Sequence, residues 1–177
     1  MERRNKQVQT ITISALIMAV YVVLTTYLPL QHEAIQFRIG EILVLFCFYN
    51  RKYCVAIIAA CFLANLGSPF GPIDWVVGTA ASALAVIPMS FIKNIWIAGM
   101  LPVITNAFLV GGMLTYFAGV DEFADFGLSP LFWFNVGTVA VGQFVVIMVV
   151  GVPLFKFVLE KNKAFMNIIC AKDIKIQ

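Results

Sequence analysis

The stretch "VGTVAVGQFVVIMVVGVPL", Val136–Leu154, runs for nineteen residues with no charged side chain and no regular alternation of apolar and polar positions. A barrel strand would alternate, because its side chains face lipid and lumen in turn. A continuous apolar run of this length reads as a helix in lipid, since about twenty such residues cross the hydrocarbon core. The composition agrees. The chain of 177 residues is 62% hydrophobic and 12% charged, with mean hydropathy +0.95. A soluble domain keeps roughly a quarter of its residues charged. Backbone polar groups in lipid must be satisfied within the element. The sequence therefore reads as an all-α integral membrane protein, a single domain over residues 1–177.

Six spans are expected: Val8–Leu28, Ile39–Tyr49, Tyr53–Leu66, Ile73–Ile92, Ile95–Phe117 and Leu131–Leu159. "GSPFGP" (Gly67–Pro72) separates the third from the fourth with two glycines and two prolines, both strong punctuators. "AGVDEFADFGLSP" (Ala118–Pro130) precedes the last. The first run follows "ERRNK" as a secretory signal would. It is about twenty residues long and has no convincing small-x-small cleavage site, so it is expected to remain a helix.

Six spans put both termini on one side. That side would hold Arg3, Arg4, Lys6, Arg51, Lys52, Lys93, Lys156, Lys161, Lys163, Lys172 and Lys175, eleven of the twelve basic residues. Arg38 is the exception, and Glu33, Asp121, Glu122 and Asp125 also fall opposite. Basic residues concentrate on the cytoplasmic side, so the expected topology is N-in/C-in; five spans would send the basic tail outside.

The formal charge of +3 does not point to nucleic acid; its meaning lies in that asymmetry. Cys47, Cys54, Cys61 and Cys170 lack the close spacing of a metal or redox motif, and they read as small buried hydrophobes. His32 is the only histidine, so a histidine-based metal site would lack partners. No phosphate loop, HExxH or Ser/His/Asp set is found, so no ATPase or hydrolase chemistry of the chain's own is expected.

Polar residues inside apolar runs carry the functional signal, since an ionisable group at the bilayer centre costs about 2.5–3.5 kcal/mol. Arg38, Glu41 and Asp74 stand out, with Asn65, Asn106, Asn135 and Gln143. On the six-span topology most of them gather in the outer half, from five helices, and Asn106 lies near mid-membrane. That is the layout of an outward-facing pocket for a polar small molecule. Each also has a structural reading. Arg38 and Glu41, at i and i+3, could neutralise one another. The asparagines could be caps or interhelical hydrogen bonds, and Asp74 suits a helix N-terminus. Ala15-x3-Ala19, Ala60-x3-Ala64 and Ala81-x3-Ala85 are flat stripes for close helix approach, with internal packing as the default. Trp75, Trp96 and Trp133 read as interface anchors, and Trp75 could also stack on a planar ligand.

Four blocks carry a resemblance: "IQFRIGEIL" (Ile35–Leu43), "ANLGSPFGPIDWVVGTAAS" (Ala64–Ser82), "PVITNAFLVG" (Pro102–Gly111) and the Val136–Leu154 stretch. Together they resemble the substrate-binding S components of energy-coupling-factor (ECF) transporters, specifically the QueT-type family for queuosine precursors. The resemblance implies a six-helix bundle in the bacterial cell membrane that captures its ligand from outside. It further implies a transmembrane coupling subunit and two cytoplasmic ATPases as partners; ATP would be used by those partners only, and no cofactor is expected in this chain. The implied ligand is a 7-deazaguanine such as preQ1, preQ0 or queuine. Gln36, Arg38, Glu41, Asn65, Asp74, Trp75, Asn106, Asn135 and Gln143 are the residues expected to bind it, with Glu41 and Asp74 dividing the ligand's donors and any cationic arm. Ala15 and Ala19 are similar to the family's docking motif. An S component for another vitamin-like ligand and a non-transport membrane scaffold are the alternatives.

Overall fold

The computed structural model describes residues 2–27, 37–119 and 129–169. Among these residues the secondary structure is entirely helical. α1 spans Glu2–Tyr27, α2 Ile39–Tyr49, α3 Tyr53–Asn65, α4 Pro72–Met89, α5 Ile95–Phe117 and α6 Pro130–Leu159. A short α7, Lys163–Ile168, follows. The boundaries have local causes. Gly71 takes φ 63°, which favours glycine, and Pro72 then opens α4 where its missing N–H costs nothing. Ser129, Asn94 and Asn162 cap α6, α5 and α7, their side-chain oxygens accepting from Leu131, Trp96 and Phe165 N–H groups.

Four helices, α1 (from Gln7), α4, α5 and α6, are long and apolar enough to cross a membrane, and α2 and α3 are shorter apolar helices. The six expected segments are thus all helical, but two are short. The thirteen residues of α3 span about 20 Å at 1.5 Å per residue, against a hydrocarbon core of about 30 Å. The Ile39–Leu45 part of α2 is wound as a 3₁₀ helix, whose rise of about 2 Å per residue stretches it to a similar length. In α6, the α-helical Pro130–Gln143 gives way to wider π-type turns over Phe144–Gly151 and Leu154–Leu159.

The helices close into a ring. α1 packs on α3, α3 on α4, α4 on α5, α5 on α6, the π-wound part of α6 on α2, and α2 on α1. Small residues set the closest approaches. A Cβ on Gly111 of α5 would lie 2.9 Å from the Val136 backbone of α6, and one on Gly40 of α2 would strike the Thr25 side chain of α1. Tyr21, Leu45, Ile57, Met89 and Ile147 are among the fully buried side chains of the core. Val55, Val76, Ile11 and Phe91 are among many large apolar side chains facing outward, as a surface solvated by lipid requires.

Arg51, Lys52, Lys93, Lys156, Lys161 and Lys163 lie at the end where α2, α4 and α6 finish. Arg51 sits 4.8 Å over the Phe91 ring and Lys156 5.9 Å over that of Trp96. The same end is closed by the residue after α7. The Ile169 carbonyl accepts from Tyr53 Oη at 2.8 Å, and Tyr49 Oη donates to Glu160 at 2.7 Å. Glu33, Asp121, Glu122, Asp125, Lys172 and Lys175, which the topology reading used, lie outside the described residues.

The Gly111 contact is against backbone, which cannot move aside cheaply. Gly111→Ala is therefore expected to destabilise the protein by about 1–3 kcal/mol through overpacking. Gly137→Ala, where no atom lies within 4 Å, should leave the melting temperature in detergent unchanged. Equal melting for both variants would contradict this α5–α6 packing.

Candidate functional site

At the end opposite the basic cluster, a cavity of about 300 Å³ opens between α1, the start of α2, α3, α4 and α5. Thr25 and Thr26 close one side, and Arg38, Ala64 and Asn65 another. The Gly67–Phe70 loop, Asp74 and Met113 complete the lining. The volume falls at the lower end of small-molecule pockets, about 300–1,000 Å³. The loop is braced by its own turns, with Ser68 N–H donating to the Asn65 carbonyl at 2.9 Å and Gly71 N–H to the Ser68 carbonyl at 3.2 Å. Phe70 packs its ring 5.0 Å from that of Phe117, which fixes the loop to α5.

Three of the expected site residues meet here. Arg38 Nη2 donates to Asn65 Oδ1 at 3.4 Å and lies 3.9 Å from Asp74 Oδ2. Asn65 Nδ2 crosses to the Asp74 carbonyl at 3.4 Å. Gly78 makes room for this crossing, because a Cβ there would run into the Asn65 amide. Both Arg38 contacts are long beside the usual 2.7–2.9 Å of a charge-assisted hydrogen bond. The Arg38 side chain is 13% exposed and lines the cavity. Asp74 Oδ1 and Thr25 Oγ1 are buried with no hydrogen-bond partner. The site thus combines a loosely held cation with two unpaired oxygens on residues that line the cavity. Such a set has the chemistry to pair with both acceptors and donors.

The other expected residues are distributed differently. Glu41 lies one 3₁₀ turn past Arg38, fully buried, and accepts from Tyr21 Oη at 2.7 Å; it does not line the cavity. Asn135 donates to Thr115 Oγ1 at 3.0 Å, joining α6 to α5. Trp75 is half-buried outside the cavity lining, its Nε1 without a partner. Asn106 and Gln143 are buried deeper, in α5 and α6. Gln36 lies outside the described residues. Of the three small-residue stripes, Ala60 and both Ala81 and Ala85 are buried in the bundle. Ala15 and Ala19 face outward on α1. Tyr21 and Thr25 were not foreseen. The signal was available for Tyr21, since a phenol inside an apolar run needs a partner for its hydroxyl.

The family model described as "QueT transporter" matches residues 11–160 of the chain. A curated relative, "Queuosine precursor transporter QueT" from Lactococcus lactis subsp. cremoris (strain MG1363), is 34% identical over 79 residues. That alignment covers 43% of this chain and 46% of the relative, so the chain spans just under half the relative's length. No solved structure matches.

Replacing Tyr21 with Phe removes the one observed donor to the buried Glu41 carboxylate. The expected cost is about 1–3 kcal/mol, read as a lower melting temperature. The paired variant Tyr21→Phe/Glu41→Leu should recover part of that loss; no recovery would show that the Tyr21–Glu41 bond is not the source.

Proposed function

Since this chain belongs to the QueT transporter family, we propose that it is the substrate-binding S component of an ECF-type importer for a queuosine precursor. The multi-pass helical membrane bundle carries a polar cavity at the end away from its basic cluster, and this observation carries the reading. α2 and α3 complete a six-span N-in/C-in bundle in the bacterial plasma membrane, with the Gly67–Phe70 turn after α3 lining the cavity end. The cavity then faces outward, and the basic end faces the cytoplasm, as the distribution of Arg51, Lys52, Lys93, Lys161 and Lys163 favours.

The ligand is a 7-deazaguanine such as preQ1, preQ0 or queuine. Its carbonyl would meet Arg38 and Asn65, and its N–H donors or cationic aminomethyl arm would meet the free Asp74 oxygen. A buried charge needs such a partner. Asp74 is the better placed of the two carboxylates, because Glu41 is already engaged by Tyr21. Glu41 retains a share in binding through the turn that presents Arg38. Gln36, Trp75, Asn106, Asn135 and Gln143 supply further contacts as the ligand is enclosed. ATP is consumed by two cytoplasmic ATPases, and a coupling subunit docks on α1 over the exposed Ala15 and Ala19, where small side chains let a second helix approach.

Calorimetric titration of the purified protein with preQ1, queuine, guanine and unrelated vitamins tests the ligand class; binding of an unrelated vitamin alone would replace it. Asp74→Asn is expected to weaken preQ1 binding by about tenfold or more, the cost of an unpartnered buried charge, and Glu41→Gln by less. Unchanged affinity in Asp74→Asn would remove Asp74 from the site. Leu at both Ala15 and Ala19 should abolish co-purification of the coupling subunit and leave ligand affinity intact.

A further inference from the structure

Thr25 of α1 lines the cavity and is 5% exposed, and its Oγ1 has no hydrogen-bond partner among the described residues. A threonine hydroxyl in an apolar helix can turn back onto the carbonyl four residues before it. Thr12, Thr105 and Thr115 do so, donating to the Val8, Leu101 and Gly111 carbonyls at 3.0, 3.0 and 2.9 Å. Thr25 makes no such bond. Buried polar groups are nearly always paired, and each exception needs a cause; on a cavity wall, a ligand supplies one.

The hydroxyl is also held from behind. One turn earlier, Tyr21 donates to Glu41 at 2.7 Å, which fastens α1 to α2. Gly40, the residue before Glu41, lies directly against the Thr25 hydroxyl, and a Cβ there would strike it. The wall is therefore closely packed at this point and cannot yield to a bulky group.

The contacts proposed above leave one part of a 7-deazaguanine unread. Arg38 and Asn65 take the carbonyl, and Asp74 takes the other donors or the arm. What remains is the pyrrole N–H and the ring nitrogen next to it, a donor and an acceptor separated by one carbon. A guanidinium only donates and a carboxylate only accepts, whereas a hydroxyl does both. One hydroxyl can therefore close a pair of hydrogen bonds on that N–H/N edge. The same pyrrole nitrogen is the atom that carries the sugar in a nucleoside.

We infer that Thr25, backed by Gly40, reads the unsubstituted pyrrole edge of the ligand and so selects the free base over its nucleoside. This rests on the reading of the cavity as a 7-deazaguanine site, and it adds α1 to the helices that contact the ligand. The cavity volume of about 300 Å³, small for a ligand pocket, suits a bare heterocycle as well. A site that bonds a substrate N–H discriminates strongly against the analogue lacking it, because its own polar group is left unpaired.

The test titrates the full chain with preQ1 and with preQ1 methylated on the pyrrole nitrogen. Thr25→Val keeps the shape and removes the hydroxyl, and it is expected to lower preQ1 affinity about tenfold. Thr25→Ser keeps the hydroxyl and should stay within about threefold of the unmodified protein. The unmodified protein should prefer preQ1 to the methylated probe by about tenfold or more. Thr25→Ala removes both the hydroxyl and the bulk that would meet the methyl group, so this preference should shrink to about threefold or less. A purely structural Thr25 would leave the preference where it was. Unchanged preQ1 affinity in Thr25→Val overturns the inference, as does an equal loss in Thr25→Ser or an undiminished preference in Thr25→Ala. Each of those results still leaves preQ1 as the ligand. A folded, unmodified protein that does not bind preQ1 overturns the ligand reading and this inference together.

Discussion

Hydrocarbon offers no hydrogen bonds, and in this chain every polar group kept away from water must find a partner within the bundle or from a ligand. The constraint acts first on the backbone, where it selects helices. It acts next on the helix ends, where Asn94, Ser129 and Asn162 accept from otherwise open N–H groups. It then acts on the interior, where Tyr21 meets Glu41 and Asn135 meets Thr115. Because lipid is as apolar as leucine, helix association depends on close packing of small residues. Gly40, Gly78 and Gly111 provide it at the α1–α2, α3–α4 and α5–α6 contacts.

Against this background of satisfied groups, the unsatisfied ones are informative. Asp74 Oδ1 and Thr25 Oγ1 are unpaired on two residues that line the cavity, and Arg38 reaches its two partners only at long range. The residues that line the cavity lie at helix ends, where a charge costs less than at the bilayer centre.

Much of the fold could be read in advance. The fifth span was expected over Ile95–Phe117, and α5 has those bounds. "GSPFGP" marked the turn that became the cavity wall, and Arg38, Asn65 and Asp74 were drawn together by their position in apolar runs. Other features were hidden. The three alanine stripes share one spacing, yet two are buried and only Ala15 and Ala19 face outward. Spacing defines a face of a helix but not what that face meets. Glu41 appeared to pair with Arg38 or a ligand, while its observed partner is a phenol twenty positions earlier.

The sequence by itself determined the solvent, the helical class, the succession of apolar segments and the gathering of basic residues at one end. These follow from composition and local periodicity, which act along the chain. Only the tertiary structure decided that Glu41 pairs with Tyr21, that Arg38, Asn65 and Asp74 line one cavity, and that α1 turns its alanines outward. Those outcomes depend on which helices become neighbours, and in a lipid-solvated bundle that choice is made by close contact between surfaces distant in sequence.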